Sequence, residues 1–402
     1  MSWTKEERLL IKAATLHLSD GDKKKIGELS SPPVDWSSLS LRALKEGVEG
    51  LLYANFRLLQ GEFPNLKQGV ETLKPYYYAS LLTGMKVWKE LNEVLPPLLK
   101  KVHPLILLKG GALTPTLYKD SALRPMRDVD ILVRPDDLLK VEKALADLGF
   151  TCHPRYPHIF SRKQLSIDLH QDLVNLSRIS SRRYVFQIEY DTLWKRAEPI
   201  YPLNSYLLTL SLHHQLIILS AHLVKHSFER LIWAVDIKEL IKSSRGGIDF
   251  PCLLEEAQRF NLLKPLLYTM TYLKEVMELE LEGKETVYFE KMRRGFNPIE
   301  RGILRLLTQG EKLERFGDLL LACSAPRLRE RFVFLWETSF PRPQVIGEVF
   351  PFLPSYLLWV GYILRLFQLL AIGIKQSINL VKGWLKLRLG SSSPSSGQVV
   401  QK

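Results

Sequence analysis

Cysteine is scarce in this chain: three in 402 residues, at Cys152, Cys252 and Cys323. They lie far apart and form neither a disulfide framework nor a paired metal-binding spacing, and scattered thiols of this kind fit a reducing cytosol. The N-terminus lacks a basic stretch followed by an uninterrupted apolar core, which argues against export. Leu9, Leu10, Ala13, Ala14 and Leu16 instead fall near one face of an amphipathic helix. No internal repeat is apparent. Acidic residues are in deficit: 43 Asp and Glu face 56 Lys and Arg, a net charge of +13, which calls for an anionic partner such as a nucleotide, a nucleic acid or a lipid headgroup. The hydrophobic share of 46% is ordinary, and a chain of this length has core for two or three domains.

Residues 1–100 read as helical, with breaks near Ser19 and Ser30. Asp35 caps one helix, and a long helix from Val70 to Leu95 is expected to stop before Pro96-Pro97. Tyr76, Tyr77 and Tyr78 face different directions in it and read as packing residues rather than a base-stacking platform. A mixed pattern follows. An apolar run from Leu105 ends in Lys109-Gly110-Gly111, a helical turn carries Pro115, and Asp128 to Val133 alternates as a strand does. A helix runs from Pro135 to Gly149, and two short strands joined at Lys163-Gln164 form a hairpin. The expected class is α+β: a small mixed-sheet core at 101–200, between an N-terminal helical region (1–100) and a helical domain (201–337), with Gly246-Gly247 and Gly283 at turns. Four prolines between Thr338 and Pro354 mark an extended linker, so 338–389 reads as linker plus a basic amphipathic helix, and 390–402 as a disordered polar tail.

The chemistry concentrates between Leu105 and His170. Alternate residues of a strand share a face, so Asp128 and Asp130 present two carboxylates to one point, and Asp168 on a neighbouring strand would be the third. Carboxylates inside an otherwise apolar strand need a reason. Three of them converging suit hard divalent cations, Mg2+ or Mn2+, as in metal-assisted nucleotidyl transfer from a nucleoside triphosphate. In that reading all three aspartates are both metal ligands and catalytic residues. Gly110 and Gly111 let backbone amides approach phosphate, and Lys109, Arg124 or Arg127 screen its charge. His170 either touches the nucleotide or caps the hairpin.

These motifs resemble a bacterial family of uncharacterised nucleotidyltransferases within the DNA polymerase β superfamily. The resemblance rests on Lys109-Gly110-Gly111-Ala112-Leu113, Tyr118, Arg124, Asp128-Val129-Asp130-Ile131-Leu132-Val133 and Asp168-Leu169-His170. His222-x-x-x-His226 followed by Leu231 and Asp236 extends it, so that it covers about residues 35–240. It implies the small mixed-sheet core, a nucleoside triphosphate such as ATP as substrate, and an acceptor in envelope or exopolysaccharide metabolism. The superfamily more often has a glycine-serine pair where this chain has Lys109-Gly110-Gly111, an element similar to that of nucleotidyltransferase toxins of abortive-infection systems. His222, His226 and Asp236 are candidate substrate contacts. A zinc site drawing on His213 and His214 is the alternative, without the glutamate of an H-E-x-x-H motif.

From Tyr356 to Leu389 there is no acidic residue, while Arg365, Lys375, Lys382, Lys386 and Arg388 break a largely apolar sequence. A helix with so thin a polar stripe fits an anionic membrane surface, and the protein would then be cytoplasmic and peripheral on the inner face of the membrane. Packing against the protein itself or a second copy is the alternative. A bilayer span over 356–374 is opposed by Arg365 at its middle. Residues 327–402 hold ten Lys and Arg against three Glu, so much of the excess charge lies there, and an RNA acceptor such as a tRNA end is less favoured. A protein-modifying, toxin-type transferase and a catalytically silent nucleotide-binding scaffold complete the alternatives.

Overall fold

A computed structural model describes residues 3–201, 204–244, 247–280, 284–311, 315–371 and 373–374. Its centre is a seven-stranded mixed sheet: β1 (Leu105–Leu107), β2 (Asp128–Leu132), β3 (Thr151–His153), β4 (Tyr156–Arg162), β5 (Leu165–His170), β6 (Glu198–Ile200) and β7 (Asn204–Thr209). The spatial order is β3-β4-β5-β2-β1-β7-β6. β2 runs parallel to β5 and antiparallel to β1, and β1 runs parallel to β7. Helical regions lie before and after the sheet, so the α+β class holds. The sheet, however, reaches beyond residue 200, because β7 returns from the expected helical domain to pair with β1.

The two-residue period of the strands sorts the side chains. Val129 and Ile131 of β2 join Ile167 and Leu169 of β5 on one face. They pack there with Leu91, Val94 and Leu98 of the helix Leu66–Lys101 and Val141 and Leu145 of the helix Leu138–Asp147. Asp128, Asp130, Asp168 and His170 therefore emerge on the opposite face. On that side Ile106 and Leu132 belong to the core shared by the N-terminal helices and the helices after residue 210. The two helical regions expected to be separate thus enclose one core. Polar bonds cross it as well: Asn55 donates to the carbonyls of Ala13 and Thr15, and Thr15 Oγ1 donates to Glu239 at 2.7 Å.

Two expectations from proline fail. The helix Leu66–Lys101 contains Pro75, Pro96 and Pro97 and continues past the pair to Lys101. A proline removes one N–H and crowds the preceding turn. Here the burial of Leu95, Leu98 and Leu99 against the sheet outweighs that local cost. The stretch 338–354 is no extended linker either: Pro343–Val349 is helical, with proline tolerated in its first turn, and Val345 and Ile346 are buried. Residues 358–371 are helical too, and they dock on this stretch through Tyr362 Oη to the Pro341 carbonyl (2.7 Å) and Arg365 Nε to the Ser339 carbonyl (3.2 Å). Gly246, Gly283 and the sequence 375–402 lie outside the described residues.

Close backbone approach explains one glycine. A Cβ at Gly317 would sit 2.0 Å from the carbonyl oxygen of Val224, and the Gly317 N–H donates to Ser227 Oγ at 3.0 Å. Backbone cannot yield as a side-chain tip can, so Gly317→Ala should destabilise the fold by about 1–3 kcal/mol through overpacking. Urea unfolding of the variant checks this, and an unchanged midpoint would contradict it.

Candidate active site

The carboxylates converge as the strand period requires. Asp130 and Asp168 are register partners on the parallel strands β2 and β5, with Asp128 opposite Ser166 one step along. Asp130 is only 6% exposed, so it is no incidental acid on a solvated strand edge, whereas Asp128 is exposed at the mouth of the cleft. Lys109 Nζ lies 2.6 Å from Asp130 Oδ1. His170 Nε2 lies 2.8 Å from the same oxygen and 3.3 Å from Asp168 Oδ2. Burial alone would raise the Asp130 carboxyl, but the Lys109 ammonium and His170 outweigh it and hold it well below the usual carboxylate range. Burial alone would lower His170, yet hydrogen bonds to Asp130 and Asp168 lift it to about 9. At Asp128 the enclosing protein, then Asp130 and Asp168, push the carboxyl upward, with Lys109 opposing. His170 is therefore a partner of the carboxylates rather than a cap on the hairpin.

Oxygen and imidazole atoms of Asp130, Asp168 and His170 lie within 4.8 Å of one another. Crowded carboxylates on one face, one of them raised by burial and then by its neighbours, are the donor chemistry that hard divalent cations take. The strands set the spacing of Asp130 and Asp168, and Lys109 and His170 stand on the Asp130 oxygen that such a cation would take.

The glycine element works differently from its sequence reading. Lys109-Gly110-Gly111 opens the short helix Lys109–Leu113 rather than a loop, and Lys109 adopts a left-handed φ of 47°. A Cβ at Gly111 would meet Val129 Cγ1 at 3.3 Å, so this glycine serves the packing of that helix on β2. Gly110 does line the cleft, as do Lys109 and Arg127.

One expected contact is redirected and its partner is anchored by it. Asp236 has no exposed surface. It accepts from Arg124 Nε (2.8 Å), Arg124 Nη2 (2.8 Å) and Tyr118 Oη (2.8 Å). It cannot reach substrate from there. Arg124, with Nη1 donating to the Pro125 carbonyl, is held as a strut that joins the segment before β2 to the helix Leu231–Ser243. Arg124 also lines the cleft, so the ion pair anchors it beside the place where it was expected to screen phosphate charge.

His222 and His226 do line the cleft and form an aromatic corner with Trp233, the ring centroids lying 4.8 Å and 5.1 Å from it. Burial, with Lys109 and Lys225 nearby, pushes His222 far down and His226 to about 4, so both are neutral imidazoles at pH 7. No metal-ligand group among the described residues includes them, and His213 lies instead beside Cys252 and Glu256. Tyr76, read as a packing residue, lines the same cleft.

The cleft encloses about 1030 Å³. Arg178, Arg182, Lys225, Arg315 and Arg365 also line it, and sequence reasoning missed all of them in this role. They come from segments up to 187 residues apart in number, and no local spacing marks them.

A family model described as an uncharacterised nucleotidyltransferase matches residues 32–278, more than half of the chain. No curated protein and no solved structure matches.

Proposed function

This chain belongs to a family of uncharacterised nucleotidyltransferases, and from that premise we propose that it moves a nucleoside monophosphate from a nucleoside triphosphate to a hydroxyl acceptor. The observation that carries this reading is the in-register placement of Asp130 and Asp168 beside Asp128 on one face of the sheet. Asp128, Asp130 and Asp168 would hold Mg2+ or Mn2+. Bound there, such ions supply charge neutralisation on the triphosphate and acidify the attacking hydroxyl. The acceptor oxygen attacks the α-phosphorus, the bond from that phosphorus to the bridging oxygen of the β-phosphate breaks, and pyrophosphate leaves. Asp168, whose side chain keeps 31% of its exposure, orients the hydroxyl and takes its proton on the way to solvent. His170 fixes the rotamers of Asp130 and Asp168, while Lys109 and Arg127 offset phosphate charge. The neutral His222, His226 and Trp233 corner, with Tyr76, offers flat surfaces for a base. A silent scaffold has no need of Asp128, whose carboxyl is pushed upward by burial and by Asp130 and Asp168, a strain that a bound cation would relieve. The test is incubation with each α-labelled nucleoside triphosphate, Mg2+ and a cell extract. Label should pass to an extract component with release of pyrophosphate, and absence of transfer for all four would sink the reading.

The acceptor reading, a saccharide or a lipid-linked molecule of envelope metabolism, is consistent with the C-terminal helical segment. Tyr356, Trp359, Ile363, Phe367, Leu370 and Ile374 recur every three to four residues and are all exposed, Tyr356 at 78% and Phe367 at 64%. No helix among the described residues is long and apolar enough to cross a membrane. After Glu348 the sequence has six Lys and Arg and no acid. An exposed apolar stripe with cationic flanks suits the surface of an anionic membrane. With phosphatidylglycerol vesicles the intact protein should float, and a Trp359→Ser, Phe367→Ser double variant should stay in the lower fraction. Intact protein that never floats would remove the membrane from the proposal.

A further inference from the structure

The catalytic end of the cleft uses only part of its charge. Past the His222, His226 and Trp233 corner, five cations line the remaining space: Arg178, Arg182, Lys225, Arg315 and Arg365. Their partners leave most of that charge uncompensated. Arg178 is paired with Glu348 at 2.7 Å. Arg182 Nη1 donates to the carbonyl of Val174 at 2.6 Å, and Arg365 donates to the carbonyls of Ser339 and Thr338 and to Gln368 Oε1. Carbonyls satisfy hydrogen bonds without cancelling a charge. Lys225 and Arg315 have no hydrogen-bond or ion-pair partner among the described residues. Of the acids packed nearby, Glu337 accepts from Ser180 and Ser181, and Asp318, which does not line the cleft, is a single carboxylate set against Arg182, Lys225, Arg315 and Arg365. Burial, with Arg182, Lys109 and Arg178 around it, pulls the Lys225 ammonium down to about 7. Burial and like charges disfavour the charged ammonium, and a bound anion among the same cations would restore it.

A triphosphate engaged by Asp128, Asp130 and Lys109 lies at the sheet, whereas this lobe is built from helices and turns that contribute nothing to the sheet. Arg315 and Arg365 also fall outside residues 32–278, the part matched by the family model. Arg178, Arg182 and Lys225 lie within that region, so the lobe is completed by segments that follow it. A cleft of about 1030 Å³ is at the upper end of the range for a single ligand and has room for two substrates.

We propose that the acceptor is a phosphorylated molecule whose phosphate is held by Arg182, Lys225 and Arg315 while its hydroxyl is presented to Asp168. This rests on the nucleotidyl-transfer reading above. The phosphate is a recognition group, remains on the acceptor, and takes no part in bond exchange. Charge-assisted contacts from a planar guanidinium and an ammonium are the usual protein answer to such a group. The helix bearing Arg365 also carries the exposed aromatic stripe, so the phosphate can belong to a soluble ester or to a lipid.

The test uses the full chain saturated with Mg2+ and the α,β-methylene analogues of ATP and UTP. Glycerol 3-phosphate is titrated in one arm, and vesicles with or without phosphatidic acid in the other. One of these anions should bind, and Lys225→Gln and Arg315→Gln should each weaken it about tenfold, the loss of one charge-assisted contact, with analogue affinity within about twofold. Each side chain meets Asp318 through charge alone and neither donates a hydrogen bond to it, and a thermal melt of each variant is the control for folding. If neither anion binds, or if both variants weaken the analogue as much as the anion, the proposal is overturned, and in the second case the lobe belongs to the triphosphate. If the analogues do not bind the wild type at all, it is the nucleotidyl-transfer reading that fails, and the same titrations on nucleotide-free protein still report on the lobe.

Discussion

Asp130→Asn should reduce nucleotidyl transfer by at least about 10³-fold while leaving a folded protein. Asparagine keeps the volume and an oxygen that His170 can still donate to, so the packing of β2 against β5 survives. It removes the charge that, with Asp168 in register beside it, would hold a divalent cation. Asp128→Asn should match it in activity but not in stability. Asp128 is exposed at the cleft and crowded by two like charges, so neutralising it relieves repulsion and should leave the melting temperature unchanged or slightly higher. The measurements are the rate of label transfer from the nucleoside triphosphate and a thermal melt of each variant. Wild-type transfer in either would refute the assignment of these carboxylates.

The largest effect on stability is expected away from the chemistry. Asp236→Ala should cost about 3–5 kcal/mol, because breaking one side of a buried ion pair leaves the other charge without compensation. Arg124 would remain with 5% of its surface exposed, its Nε and Nη2 donors unmatched, and Tyr118 Oη would lose its acceptor too. Replacing both partners with apolar residues, Asp236→Leu with Arg124→Met, should recover much of that loss, since paired desolvation then disappears together. Urea unfolding of the single and double variants provides the comparison. A cost below about 1 kcal/mol for the single change would mean that the pair is no strut.

Asp128, Asp130 and Asp168 were readable from the chain because successive side chains of a strand point to opposite faces. Once Val129, Ile131, Ile167 and Leu169 are recognised as one buried face, the carboxylates have only the other. The hairpin of β4 and β5 was legible for the same reason, from its alternation and the Lys163-Gln164 turn. Pro96 and Pro97 misled because their cost is local whereas the gain from burying Leu98 and Leu99 is tertiary. The four prolines after Thr338 misled similarly, in that one of them opens a helix that packs beside the cleft.

Asp236 shows the limit most clearly. Its place after His222 and His226 suggested a substrate contact, but its function depends on a partner 112 positions earlier, and burial turned the pair into a support. The cationic lobe is a further case, since Arg182, Lys225, Arg315 and Arg365 share no period and meet only when separate segments fold together. The sequence by itself thus determined that Asp128, Asp130 and Asp168 share one face of β2 and β5, since strand geometry is local and repeats every two residues. Only the tertiary structure decided which charges face substrate and which face each other, because a charge's role is set by what is packed around it, and that neighbourhood is not written in adjacent positions.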